Sequence, residues 1–198
     1  MMELIVATRN KHKLKEIKLL LKGIPITVRS LDNFKDVPEV IEDEPTLEGN
    51  AKKKAIVVSR FLKKLAIADD SGLEVNALSH RPGVYSARFS GKGATYKSNN
   101  EKVLRLLKGV PISKRGAKFR CLIAIADKGK VIKVVEGNIE GIIGFKPKGS
   151  TGFGYDPIFM PKGYKKTFSQ MSLKKKNEIS HRSKALIRAK KAVIDYIS

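Results

Sequence analysis

Two carboxylates, Asp69 and Asp70, stand side by side directly after the apolar run Leu65-Ala66-Ile67-Ala68 and directly before Ser71-Gly72. The chain has 41 Lys and Arg against 19 Asp and Glu, and adjacent acids in a half-buried setting repel unless a cation meets them. Hard oxygens of this kind suit Mg²⁺, which takes one or two protein carboxylates, keeps waters and bridges to phosphates. One of the pair could also accept a proton from an attacking water. The acidic loop DVPEVIEDEPT (36–46) holds five of the nineteen acids and offers Glu39 or Glu42 as a further ligand. The competing reading of DDSG is a turn whose Asp side chains bond to backbone.

Three other segments concentrate unusual side chains. In TRNKHK (8–13), Thr8 and Asn10 offer hydrogen bonds and Lys11 and Lys13 offer charge, where a helix N-terminus would favour phosphate. Plain capping by Asn10 is the alternative there. In GSTGFGYDPIF (149–159), Gly152 and Gly154 flank Phe153 and permit close backbone approach. Phe153 and Tyr155 could stack on a flat ring, and Asp156 could accept hydrogen bonds from base N–H groups. In KNEISHR (176–182), Ser180 reads as an N-cap, which sets His181 and Arg182 in a first helical turn where positive charge is disfavoured. An electron-rich partner docked there would ease that conflict.

Other chemistries find no support. The histidines His12, His80 and His181 lack zinc-ligand spacing, and neither GxxxxGK[ST] nor GxSxG occurs. The single cysteine, Cys121, lies in the apolar run FRCLIAIA and reads as core.

These segments need elements to hold them. ELIVAT (3–8) reads as a strand, residues 10–22 as an amphipathic helix, and IPITVRSL (24–31) as a second strand. Residues 46–64 form a long helix with Thr46 as N-cap, leading into the strand before Asp69. This β-α-β-α-β order places a site at strand ends. A short helix near 98–108 follows, then a hairpin over 116–144 turning at Asp127–Lys130, then a terminal helix over 180–198. The expected architecture is α/β, a mixed sheet with flanking helices in a single domain over 1–198. With no membrane span or signal peptide in evidence, the reading is a cytoplasmic protein. A net charge of +22 suits a polyanionic partner, whether nucleic acid, acidic membrane or phosphorylated substrate.

Taken together, these segments resemble the ITP/XTP pyrophosphatase family of noncanonical purine nucleoside triphosphate pyrophosphatases, also called HAM1-like or RdgB-like. Thr8, Asn10 and Lys13 match its opening motif, Pro38-Glu39 its acidic-loop pair, and EGNAKKKA its helix signature with Lys54 as the basic residue. ADDSGLEV, RPGVYSARFSG, GSTGFGYDPIF and KTFSQMSLKKKNEISHRSKAL match its remaining blocks in order. The resemblance implies a long twisted mixed sheet forming two lobes around a central cleft, usually as a homodimer. It implies Mg²⁺-dependent hydrolysis of ITP, dITP and XTP to the monophosphate plus pyrophosphate. By position, Asp70 would be general base and metal ligand, and Glu39 the second metal carboxylate. Thr8, Asn10, Lys13, Lys54, Ser71 and Arg88 would hold the triphosphate. Phe153, with Gly154 and Tyr155, would take the base and Asp156 its edge, while Lys176, His181 and Arg182 would read the 6-oxo group. Two rivals stand beside this reading: a Maf-like pyrophosphatase acting on modified pyrimidines, and a basic nucleic-acid-binding protein. The family reading assigns no membrane and no specific nucleic-acid partner.

Overall fold

The computed structural model describes residues 2–23 and 25–198. In chain order its elements are β1 (Glu3–Val6), α1 (Lys11–Leu20), β2 (Thr27–Ser30), α2 (Leu47–Leu62) and β3 (Leu65–Val75). Then come α3 (Tyr96–Leu106), β4 (Gly116–Asp127), β5 (Lys130–Ile143), β6 (Phe159–Pro161), α4 (Leu173–Ile179) and α5 (His181–Ile197), with short 3₁₀ turns between. The strands form one mixed sheet in the order β2-β1-β3-β4-β5-β6, and helices flank it. The expected strand over 24–31 is shorter, and its first residue, Ile24, lies outside the described residues. Among the described residues, no helix is long and apolar enough to cross a membrane.

The chain divides into two compact units. The first comprises the chain up to Asp70, Cys121–Gly137 and Arg182–Ser198; the second comprises Ser71–Arg120 and Asn138–His181. All four passages between them fall inside an element, in β3, β4, β5 and α5, rather than in linkers.

In the first unit, β1 pairs in parallel with both β2 and β3, with Glu3 opposite Thr27 and Leu4 opposite Leu65. Parallel neighbours need a crossover, which α1 supplies for β1 and β2. Leu4, Val6, Ile17, Leu21, Ile67, Cys121, Ile123, Leu186 and Val193 pack into one core. Cys121 is therefore core, as its apolar run implied. Fully burying each larger aliphatic chain contributes roughly 1.5–3 kcal/mol. Both N-caps expected here form. Asn10 accepts from the backbone N–H groups of His12 and Lys13, and Thr46 accepts from that of Gly49.

DDSG is not a turn. β3 runs unbroken from Leu65 to Val75, with Asp69 and Asp70 buried in its middle. Long-range cations, described below, override the local turn chemistry. The hairpin turn at Lys128-Gly129 forms as expected, both residues having positive φ, as a tight primed turn requires.

The second unit has its own core of Leu73, Val103, Leu107, Phe119, Ile143, Ile158, Phe159 and Phe168. Its lower corner is held by Arg115, which is buried and donates to the carbonyls of Ile143 (2.8 Å), Leu107 (2.9 Å) and Gly144 (2.7 Å). One planar guanidinium thus serves three main-chain acceptors, of which the Leu107 carbonyl also accepts from the main-chain N–H of Val110 at 3.1 Å. Arg115→Met removes all three donors while keeping the packing volume. The Ile143 and Gly144 carbonyls lose this donor at about 1–3 kcal/mol each, so urea unfolding should show a loss of at least about 2 kcal/mol. A loss below about 1 kcal/mol would mean that water replaces the guanidinium.

Candidate functional site

In the first unit, the β1–β3 ladder extends to Ala7, whose N–H donates to the carbonyl of Ile67 at 2.8 Å. The chain then leaves the sheet at Thr8, whose hydroxyl accepts from Asn10 N–H at 3.2 Å. Asn10 starts α1, and one turn later Lys13 reaches the Asp69 carboxylate at 3.1 Å. Arg182, in the first turn of α5, also meets Asp69, at 3.4 Å, and makes a second ion pair with Glu16 of α1. Both Asp69 and Arg182 are almost completely buried. This explains a basic first turn against the helix dipole: two carboxylates hold it there.

Lys54 of α2 donates to the main-chain carbonyl of Asp69 at 2.7 Å, pairs with Glu42 and lies 3.8 Å from the Asp70 carboxylate. Asn50, one turn earlier, donates to Asp70 at 3.2 Å and accepts from Glu44 N–H at 3.1 Å. Asn50 thereby ties the acidic loop to the acid pair. Close packing at Gly49 serves the same end, because a Cβ there would lie 2.8 Å from Glu44 Cβ. Glu42 sits at Lys54 and bears electrostatically on Asp70, whereas Glu39 is exposed on the same loop. Of the two candidate carboxylates, Glu42 is thus the one placed beside Lys54 and Asp70.

The two aspartates diverge in acidity. Burial alone would raise Asp69, but the charges of Lys13, Arg182 and Lys54 outweigh it and hold this carboxyl well below the usual range. Burial pushes Asp70 up; Lys54 and Lys13 offset part of that, while Glu42 and Asp69 add to it. The same two neighbours are thus pushed in opposite directions, Asp69 by the cations around it and Asp70 by burial.

In the second unit, the glycine-rich segment closes on Asp156. This buried carboxylate accepts from Phe153 N–H at 2.9 Å and from Lys176 Nζ at 2.7 Å. Gly152 has φ of +79°, and a Cβ there would lie 2.2 Å from Asp156 Oδ2, so no other residue fits. The Lys176 ammonium lies 4.7 Å from the centre of the Phe153 ring, with Tyr96 on the ring's other contact at 6.0 Å. Asn100 of α3 fixes the loop by donating to the Gly154 carbonyl at 2.9 Å.

Several expected site residues have other work. Tyr155, expected to stack on a ligand, is buried in the core with its hydroxyl donating to the Ser86 carbonyl at 2.8 Å; only Phe153 keeps a partly exposed ring. Asp156 spends an oxygen on its own loop. His181 is buried with its ring stacked on Phe119 at 4.6 Å. Arg182, expected at the base, is committed to Asp69 and Glu16. Ser71 follows Asp70 along β3, and Arg88 is exposed, its guanidinium 5.1 Å from the Tyr85 ring centre.

Asn50 and Glu16 were not singled out from the sequence. Asn50 lay inside the EGNAKKKA signature, and Glu16 is the sole acid of a basic helix, a signal that could have found it.

Asp69→Asn would leave Lys13 and Arg182 facing each other without their shared anion. The expected loss is about 3–5 kcal/mol of unfolding free energy. Because Asp69 titrates well below its ordinary value of 3.8 in the folded state, its contribution is whole above that value, begins to shrink below it and is lost only as pH falls through the lower folded-state value. Urea unfolding at pH 7 and pH 3 should therefore show the mutant's deficit shrinking with acid; a constant deficit would assign the loss to packing instead of charge.

Known proteins resemble this chain in sequence and in fold. The profile of the Ham1 family matches residues 4–192. A dITP/XTP pyrophosphatase of Desulforamulus reducens is 50% identical over 188 residues, covering 95% of this chain and 94% of that protein. One from Shouchella clausii is 48% identical, covering 98% and 97%. The solved structure of a HAM1 protein from Coxiella burnetii has a TM-score of 0.90 at 36% identity, over 98% of this chain and all of that one. The Staphylococcus aureus Ham1 protein follows at 0.86 and 35%, over 96% of this chain and 97% of its own. By family profile, relatives and fold alike, the chain belongs to the Ham1 family.

Proposed function

We propose that this chain is a pyrophosphohydrolase of deaminated purine nucleoside triphosphates, ITP, dITP and XTP, releasing the monophosphate and pyrophosphate. Relatives 48–50% identical are named dITP/XTP pyrophosphatases, which supports this reading. The observation that carries the reading is the pair of oppositely tuned aspartates among Lys13, Lys54 and Arg182.

Water adds across the α–β anhydride: its oxygen bonds to phosphorus, the bridging P–O bond breaks, and pyrophosphate leaves with the electron pair. Asp70 takes the proton, a task suited to a carboxyl with raised pKa. Lys13 and Lys54 neutralise the charge that builds on the phosphate oxygens, with Thr8, Asn10, Ser71 and Arg88 as further phosphate partners. Asp69 keeps Lys13 charged and in place, and Lys54 spans both aspartates. Asp70 and Glu42 present hard oxygens that fit Mg²⁺. When bound, that ion would supply charge neutralisation and lower the pKa of the attacking water.

For the base, Phe153 provides the stacking surface and Lys176 a donor beside it, oriented by Asp156. Inosine and xanthine carry a carbonyl at position 6 where adenine carries an amine. A donor at that edge bonds the former and faces the latter's N–H unmatched, a penalty of about 1–3 kcal/mol. Lys176 takes this role ahead of Arg182, whose guanidinium serves the acid cluster.

The direct test is pyrophosphate release from ITP, dITP, XTP, GTP, ATP and dUTP, with Mg²⁺ and with EDTA. Metal-dependent release confined largely to the first three is expected; release from dUTP alone would favour a Maf-like enzyme. Asp70→Asn should abolish turnover while ITP binding, read by calorimetry, survives. Near-normal activity would rule Asp70 out as the base. Without metal, in EDTA, the Asp70 carboxyl should titrate above the ordinary Asp value of 3.8 in an NMR pH series, and adding Mg²⁺ should lower it.

A further inference from the structure

The catalytic cluster uses one end of α1 and one end of α5 and leaves their outer faces unexplained. Lys11, Lys15 and Lys18 are exposed at 4-3 spacing, one stripe of α1, and the exposed Lys22 follows just past its C-cap Leu21. Lys184, Arg188 and Lys191 repeat the pattern on α5. The two helices are neighbours at two levels: Arg182 pairs with Glu16, and Lys190 Nζ donates to the Lys22 carbonyl at 2.9 Å. Their inner faces share one core through Ile17, Leu21, Leu186 and Val193. The two cationic rows therefore lie on one continuous surface.

The charge is segregated, not merely abundant. Residues 11–22 and 182–198 carry ten basic and two acidic residues, and one of those acids, Glu16, is buried against Arg182. The rest of the first unit carries twelve basic and twelve acidic residues. Its whole positive surplus sits on this helix pair.

We infer that the outer faces of α1 and α5 form a docking surface for the phosphate backbone of a double-stranded nucleic acid, read without regard to sequence. The α1 row spans about 10 Å from Lys11 to Lys18 at 1.5 Å per residue, with Lys22 just beyond, and the α5 row lies one helix spacing, about 8–10 Å, away. Phosphates along a duplex offer one charge per about 1.7 Å of axis, dense enough to meet both rows. A nucleoside triphosphate is too short to engage them, so substrate binding does not account for the pattern. A lipid surface would require an apolar face to insert, yet the apolar faces of both helices are in the core, and the exposed Leu19, Ile187 and Tyr196 are too few to make another. Single strands bind through aromatic platforms, and the rows hold none.

The test is fluorescence anisotropy of a labelled 24-base-pair duplex of mixed sequence, with the full chain, from 50 to 200 mM NaCl. About six phosphate contacts predict a slope of log K against log salt near −5, and an affinity loss of about 10³-fold over that range. The variant Lys15→Gln/Lys18→Gln/Lys22→Gln/Lys191→Gln should flatten the slope to about −2 and weaken binding at 50 mM by at least about 100-fold. The control Lys108→Gln/Lys114→Gln/Lys146→Gln/Lys148→Gln removes the same charge from exposed positions of the second unit and should stay within about threefold of the parent. ITP hydrolysis by the first variant should be unchanged, since none of its four positions belongs to the proposed active site. No binding at 50 mM, equal losses in both variants, or binding to anionic phospholipid vesicles without binding to the duplex would each overturn the inference.

Discussion

The carboxylate of Asp69 is buried in the middle of a strand and shared by two cations from distant parts of the chain, Lys13 and Arg182. A lone anion at that depth is several kcal/mol from acceptable, so the strand can pass through the core only if both cations arrive. That requirement fixes much else. Helix α1 must start at Asn10, so that one turn brings Lys13 to the acid. Helix α5 must begin with its basic turn inward, against its own dipole, with Glu16 as the second anion that makes this tolerable. The carbonyl of the same aspartate takes Lys54, which links the second long helix to the cluster.

The second unit solves a similar problem by different means. A glycine at 152 leaves room for Asp156, whose carboxylate then holds both a main-chain N–H and the Lys176 ammonium. In each unit a buried acid orients a lysine. A lysine tethered in this way loses little further side-chain freedom when a ligand arrives, which is the advantage of preorganisation.

The alternation of apolar and basic positions in residues 10–22 and 46–64 made α1 and α2 legible in the sequence, down to their caps at Asn10 and Thr46. The hairpin turn at Lys128-Gly129 was equally plain. Local chemistry misled at Asp69-Asp70-Ser71-Gly72, which has every mark of a turn, because the cations that keep it in a strand come from residues 13, 54 and 182. No sequence window contains all three. The short strand β6 and helix α4 escaped notice for want of length, since three and seven residues carry no period to read. For the proposed site residues, position along the sequence and surroundings in the fold are different matters. Tyr155 and Arg182 were found, but their burial and partners, which decide what they do, exist only in the folded chain.

All four passages between the two units occur within β3, β4, β5 and α5. Neither unit is a contiguous stretch of sequence, so no single crossover between genes could exchange one for another. The residues proposed to hold phosphates and those proposed to hold the base are interleaved along the chain and must be inherited together. Change of substrate in such a protein has to proceed by point substitution within a fixed frame, not by the shuffling of modules.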